Sequence, residues 1–288
     1  MQADATTSRA ELLAFRRRLT EAAAKRRRTP RVPPALLPKG PELAYTKALR
    51  ELSAAMDAAI LAELTAMSLV PRADADGDVP NYRAKASSAA KRTRAAVARV
   101  LKGKSFVARL EDLAGRVVAH SRGQWESQLK AAMGVNLVAA EPNLEPVVER
   151  FRDENVKLIT SLADEKVTRV RDILTDAGPG TRVEEIAKSL RDMGDVTQSR
   201  AELIARDQVL KLNAEVTQKR HEAAGIVEFV WSTSRDERVR ADHKVLEGKR
   251  YRYDDPPVVD RRRGTRGLPG IHFQCRCVAI PVIPGFDD

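Results

Sequence analysis

"GIVEFVWSTSRDERVRADHKVLEGKRYRY", residues 225–253, decides the fold, because the texture of the sequence changes there. The β-branched and aromatic run 226–233 reads as a strand. Ser234 and Glu237 have capping-box spacing and predict a short helix over 235–247, stopped by Gly248. Residues 249–253 read as a second strand, 254–270 as a long polar loop, and "CVAIPV" (277–282) as a closing strand. The C-terminal stretch is therefore expected to be a small α+β module.

Upstream the pattern is helical. Ser8 with Glu11 is a capping box that opens a helix to about Arg28. The proline-rich run 29–41 is an extended linker. Leu49, Leu52, Met56, Ile60, Leu64 and Met67 recur at helical spacing through 42–70. Further helices are expected over 81–101, 104–132 and 143–176, the last with an apolar stripe of Val148, Phe151, Val156, Ile159, Leu162, Val167, Val170 and Leu174. "AGPGT" (177–181) predicts a break. Thr181 and Glu184 cap a short helix to Met193, and a last helix runs over 198–224, with Gly225 at its C-terminal end. The expected fold is mostly α: a long-helix N-terminal body with a small α+β C-terminal module. Its parts are an N-terminal helix and linker (1–40), a helical body (41–195) and the C-terminal module (196–288).

Composition narrows the function. The chain has 288 residues, 43% hydrophobic and only 4% aromatic, with two cysteines, too few for a disulfide framework. No N-terminal apolar run suggests a signal peptide, and no stretch approaches the roughly 20 apolar residues of a membrane span. Neither a membrane role nor secretion is expected. Net charge is +11 and uneven: residues 1–150 carry 26 Lys+Arg against 16 Asp+Glu, residues 151–288 carry 25 against 24. The excess concentrates in 81–104, where Arg83, Lys85, Lys91, Arg92, Arg94, Arg99, Lys102 and Lys104 stand with no acid between them. Such a block suits phosphate, because each phosphate neutralised releases counterions. It equally suits a solvated helix face or an acidic protein partner. Asp74, Asp76 and Asp78 resemble a calcium loop, but Gly77 is displaced and Lys85 stands where the twelfth-position Glu belongs, so calcium is rejected.

The chemistry-bearing residues gather near the C-terminus. On a helix over 235–247, Asp236, Arg240, His243 and Glu247 would share one face. Beyond it come His272, Cys275 and Cys277; together with His243 they would make a tetrahedral zinc set. Cys-x-Cys is a poorer spacing than Cys-x₂₋₄-Cys, however, and two cysteines on one strand face equally suit buried small hydrophobes. Redox or catalytic thiols are a third reading. Arg276 should point the other way, toward Asp236 or Glu247. No nucleophilic triad, zinc-protease helix or phosphate-cradling glycine loop is present, and no helix-turn-helix suggests a sequence-reading regulator.

"ARDQ" (205–208), Gly225, Trp231, Thr233, Asp236, Val239–Arg240, His243, Leu246, Gly248, Pro269–Gly270, Cys275–Cys277 and Ala279–Val282 together resemble the phage Mu F-like minor head proteins, also called head morphogenesis proteins of tailed bacteriophages. The resemblance covers roughly 145–283, with "ENVKLITSL" (154–162) similar to an upstream helix of that family. It implies a non-enzymatic structural protein that associates with the portal, supports DNA packaging or delivery, and resides in the virion, inside the head near the portal, after synthesis in the host bacterial cytoplasm. Implied partners are the portal protein and a major capsid or scaffolding protein; separately, the charge of the basic helices points to double-stranded DNA met without sequence preference. On this reading Trp231, Asp236, Arg240, His243, Cys275, Arg276 and Cys277 are a structural constellation, with no cofactor beyond a possible structural zinc at His243, His272, Cys275 and Cys277. The alternative is a metal-dependent nuclease or other enzyme using His243, Cys275 and Cys277.

Overall fold

The computed structural model describes residues 8–26, 32–66, 79–102, 104–134, 140–177 and 183–284. Six long helices come first: α1 (Arg9–Ala24), α2 (Lys39–Ala66), α3 (Val79–Leu101), α4 (Lys104–Met133), α5 (Glu145–Ala177) and α6 (Val183–Ala223). A short α7 (Ala241–Lys244) sits among the strands β1 (Glu228–Ser232), β2 (Arg250–Arg252), β3 (Val258–Asp260), β4 (Thr265–Arg266) and β5 (Val278–Pro281). This is the mostly α architecture with a small α+β module that the sequence pattern predicts. Two compact units form, one from Met1–Glu42, Leu113–Phe151 and Arg206–Asp288, the other from Leu43–Asp112 and Arg152–Ala205.

In the second unit, Met56, Ile60 and Leu64 of α2 pack with Ala86, Ala89 and Val97 of α3 and with Val167, Val170 and Leu174 of α5. The alanines of α3 let its backbone approach closely. The predicted stripe of α5 shifts at two points: Val147 is buried where Val148 was expected, and Val156 is exposed while Asn155 is fully buried, with Tyr45 Oη donating to its Oδ1 at 2.5 Å. Lys166 is buried and its charge is met by Asp57; burial holds its ammonium below the usual lysine range.

In the first unit a three-stranded antiparallel sheet has the order β2-β1-β5. Phe229 and Trp231 alternate to the inner face of β1 and are fully buried, against Phe15 and Leu19 of α1 and Trp125 and Leu129 of α4. The end of α6 is built as the sequence predicts: Gly225 takes φ +81°, its N–H donates to Glu222 O, and Ile226 N–H donates to His221 O at 2.9 Å. Arg16 adds a cationic cap, donating to Ala223 O at 2.7 Å and Glu222 O at 2.9 Å.

Four expectations are corrected. The helices expected at 181–193 and 198–224 are one helix, α6: there is no proline within it, and Gly194 alone costs only about 1 kcal/mol relative to alanine. The helix expected over 235–247 shrinks to α7, because Arg235 takes φ +55° and Arg240 is extended. Two pieces of the loop expected over 254–270 pair as the hairpin β3–β4. Cys275 and Cys277 precede β5 and are not in a strand. The acidic loop 71–78, with its three aspartates, lies outside the described residues, as does Thr181.

His221, on the last turn of α6, is fully buried with its Nδ1 2.5 Å from Tyr253 Oη and its ring 5.0 Å from that of Trp125. Burial, and then the neighbouring Arg220 charge, pull its imidazole down to about 3. Burial raises Tyr253, so the phenol keeps its proton and donates it to His221 Nδ1. The unfolded chain takes up this proton near pH 6.5 and the folded one only near pH 3. Stability is therefore complete above pH 6.5 and falls as the pH drops, by on the order of 5 kcal/mol at the lower end of that window. Unfolding measured between pH 7 and pH 4 should show a slope in wild type that His221→Gln reduces by about one proton.

Candidate functional site

The site forms where the segment 269–277 folds back on α6. Gly270 takes φ +86° and lies so close to α6 that an added Cβ would stand 2.8 Å from Ala214 Cβ. Gln274 also takes a left-handed conformation, φ +55°, and its N–H is held by Asp207 Oδ1 at 2.7 Å. Asp207 is 5% exposed and paired with Lys211 at 2.6 Å. Sequence reasoning placed Asp207 in a motif without a role; here it anchors the cysteine loop.

The turn leaves Cys275 and Cys277 on the same side, as expected, and buried at 3% and 4% exposure. Both are free thiols. His243 of α7, equally buried, places Nδ1 3.5 Å from Cys275 Sγ and 3.6 Å from Cys277 Sγ. The ligand atoms of these three residues all lie within 4.8 Å of one another. The Trp231 ring stands edge-on to His243 at 5.4 Å and the His272 ring at 5.8 Å. The hydrogen bond from Cys277, with those from His243 and the backbone of Cys277 and Gly270, pulls the Cys275 thiol down against the effect of burial. The same Cys275 contact, with burial, pushes Cys277 up.

His272 is not in this cluster. Its Nδ1 accepts from Arg240 Nη1 at 3.0 Å, and Arg240 also donates to Phe273 O at 2.7 Å. Burial and the Arg240 charge hold the His272 imidazole below its usual range. Arg276 points away from the sulfurs and clasps Asp236 with two bonds of 2.6 Å, as one of its two expected pairings required. That clasp lowers the Asp236 carboxyl. Glu247 instead accepts from Thr233 N at 2.5 Å and Arg235 at 2.9 Å. The shared face of Asp236, Arg240, His243 and Glu247 thus does not form, yet the first three meet in the same site through the loop. A cleft of about 260 Å³ reaches the cluster, lined by Lys39, Arg206, Arg238, Arg240 and Arg276 beside His243, Cys275 and Cys277.

The basic block occupies a different unit. Lys91, Arg92, Arg94, Arg99 and Lys102 are all exposed, while Ala86, Ala89, Thr93, Ala96 and Val97 of α3 are buried. At about 100° per residue the two sets fall on opposite faces. Glu63 of α2 takes two of the cations, Arg92 at 2.9 Å and Arg99 at 3.0 Å. The side chains of Arg83, Lys85 and Lys104 lie outside the described residues.

Comparison with known proteins bears on the C-terminal part of the chain. Residues 168–280 match the family described as Phage Mu protein F like protein. This segment is phage Mu F-like. The match takes in Asp207, Trp231, His243, His272 and both cysteines, and supports a structural role of the phage head-morphogenesis type. "ENVKLITSL" lies upstream of the matched residues. An uncharacterized protein of Haemophilus influenzae is 36% identical over 169 residues, 57% of this chain and 36% of that protein. An Enterococcus faecalis protein named NAD(+)–arginine ADP-ribosyltransferase EFV is 26% identical over 159 residues, 52% of this chain and 31% of that protein. The chain thus spans about a third of the length of these curated relatives. No solved structure matches. Among the described residues no helix is long and apolar enough to cross a membrane.

The anchoring of the Mu F-like loop is open to direct measurement. Asp207→Ala should cost about 1–3 kcal/mol in chemical denaturation, by removing the acceptor of the half-buried Gln274 N–H. Asp207→Asn keeps an acceptor oxygen and should cost less. Gln274→Gly, which suits the left-handed backbone, should be neutral or stabilising by up to about 1 kcal/mol.

Proposed function

We propose that this chain is a non-enzymatic minor head protein of a tailed phage. It sits inside the head near the portal and supports head assembly and the packaging or delivery of DNA. The observation that carries this reading is the Mu F-like match over 168–280. Its most specific residues are committed to structure: Asp236 to Arg276, Arg240 to the 272–273 backbone and ring, Glu247 to the Thr233 turn. The partners are the portal protein, a capsid or scaffolding protein, and double-stranded DNA bound through its phosphates. The exposed face of α3 supplies the cations for DNA, with Lys91, Arg94 and Lys102 unengaged by Glu63.

Affinity-tagged protein expressed with the phage head genes should copurify with portal protein and appear in procapsids; procapsids that assemble without it would overturn the reading. Purified protein should bind duplex DNA without sequence preference, and log K should fall linearly with log salt. Lys91→Ala, Arg94→Ala and Lys102→Ala should each lower the salt slope by about 0.9, the value for one phosphate no longer neutralised. Glu63→Gln should strengthen binding, because it releases Arg92 and Arg99. Cleavage of DNA by pure protein with Mg²⁺, Mn²⁺ or Zn²⁺ would favour the nuclease alternative instead.

A further inference from the structure

We infer that His243, Cys275 and Cys277 form a three-ligand site for a zinc-class divalent cation, with a fourth coordination position facing the arginine-lined cleft and open to water or a small anion. The distances carry the argument. One nitrogen, His243 Nδ1, stands 3.5 Å and 3.6 Å from two sulfurs. A ring N–H can point at only one sulfur at a time, so hydrogen bonding gives no reason for the near-equality. A tetrahedral ion does: Zn–S near 2.3 Å and Zn–N near 2.0–2.1 Å place nitrogen and sulfur about 3.5–3.6 Å apart. A further sign is charge. Two thiolates and a dication sum to zero with a neutral imidazole, which suits residues only 2–4% exposed, where an uncompensated charge would be costly. The two thiols give up their protons to solvent as the ion binds. The backbone N–H groups of Cys277 and Gly270 that face the Cys275 sulfur supply the outer hydrogen bonds such a ligand needs.

The fourth ligand does not come from the neighbouring side chains. Neither ring nitrogen of His272 joins the group of donors that lie within 4.8 Å of one another, and its Nδ1 is taken by Arg240. Asp236 is clasped by Arg276, and Glu247 holds the Thr233 turn. The cluster instead borders the cleft of about 260 Å³, whose wall carries Arg206, Arg238, Arg240 and Arg276. Their field favours an anion at the open position. This departs from the four-protein-ligand set with His272 that the sequence suggested, and it does not depend on the head-protein reading.

The full chain, purified under reductant without added chelator, should carry stoichiometric zinc by elemental analysis. After chelation and Co²⁺ loading it should show a thiolate-to-cobalt charge-transfer band in the near ultraviolet and the intense visible bands of tetrahedral cobalt. Cys275→Ser, Cys277→Ser and His243→Gln should each lose most of the metal, while His272→Gln should retain it. Circular dichroism on every variant separates ligand loss from misfolding, and the wild-type chelation and reloading cycle needs no variant at all. Azide should shift the visible cobalt bands in wild type. Folded, reduced wild type that contains no zinc and takes up no Co²⁺ overturns the site. Loss of metal in a folded His272→Gln protein, or bands indifferent to azide, overturns the open fourth position.

Discussion

A guanidinium with 1% of its side chain exposed must find a carboxylate, and in the C-terminal unit that requirement sets much of the rest. Arg220, near the end of α6, meets Glu141 with two bonds and gives a third to Val118 O. Beside it, His221 is kept neutral and held by Tyr253, the residue that follows β2. Two consecutive buried polar residues thus tie the last turn of α6 to the sheet and to the segment after α4. Gly225 then turns the chain sharply enough for β1 to start against the same core. Farther back on α6, Asp207 and Ala214 hold the other side of the module by receiving Gln274 and Gly270.

One consequence is that the cysteine cluster is rigidly framed before any ion is considered. The loop is fixed at Gly270 and Gln274, Arg276 is fixed outward by Asp236, and His243 is fixed between Trp231 and His272. Such a frame serves a structural protein, in which a metal would lock a small module whose sheet has only three strands. From Ala224 to Cys277, buried residues of the Mu F-like match share one core with Phe15 and Leu19 of α1 and Trp125 and Leu129 of α4. The basic face of α3 belongs to the other unit, and its charge is moderated by Glu63, so its cations are not equivalent despite lying side by side in sequence.

How much of this was legible beforehand depends on the range of the interactions. The helices of the body were legible because apolar spacing and caps are local, as at Ser8–Glu11 and Gly225. Their errors were also local rules overruled. Gly194 did not break α6, and Asn155 displaced Val156 from the buried stripe once Tyr45 offered a donor. The capping box at Ser234–Glu237 failed because Arg235 takes a left-handed conformation, and Asp236 pairs instead with Arg276, forty positions away.

Sequence by itself determined the residue types of the site and their membership in one family pattern: two cysteines one residue apart, a histidine on either side of the loop, and an arginine between the thiols. It also determined the basic, acid-free face of α3, since charge along a helix needs no partner to be read. Only the tertiary structure decided which histidine faces the sulfurs. His243 and His272 carry the same imidazole and stand beside each other, but the fold places His243 Nδ1 against both sulfurs while Arg240 holds His272 by its Nδ1. That choice is made by contacts across the fold, which spacing along the chain does not encode.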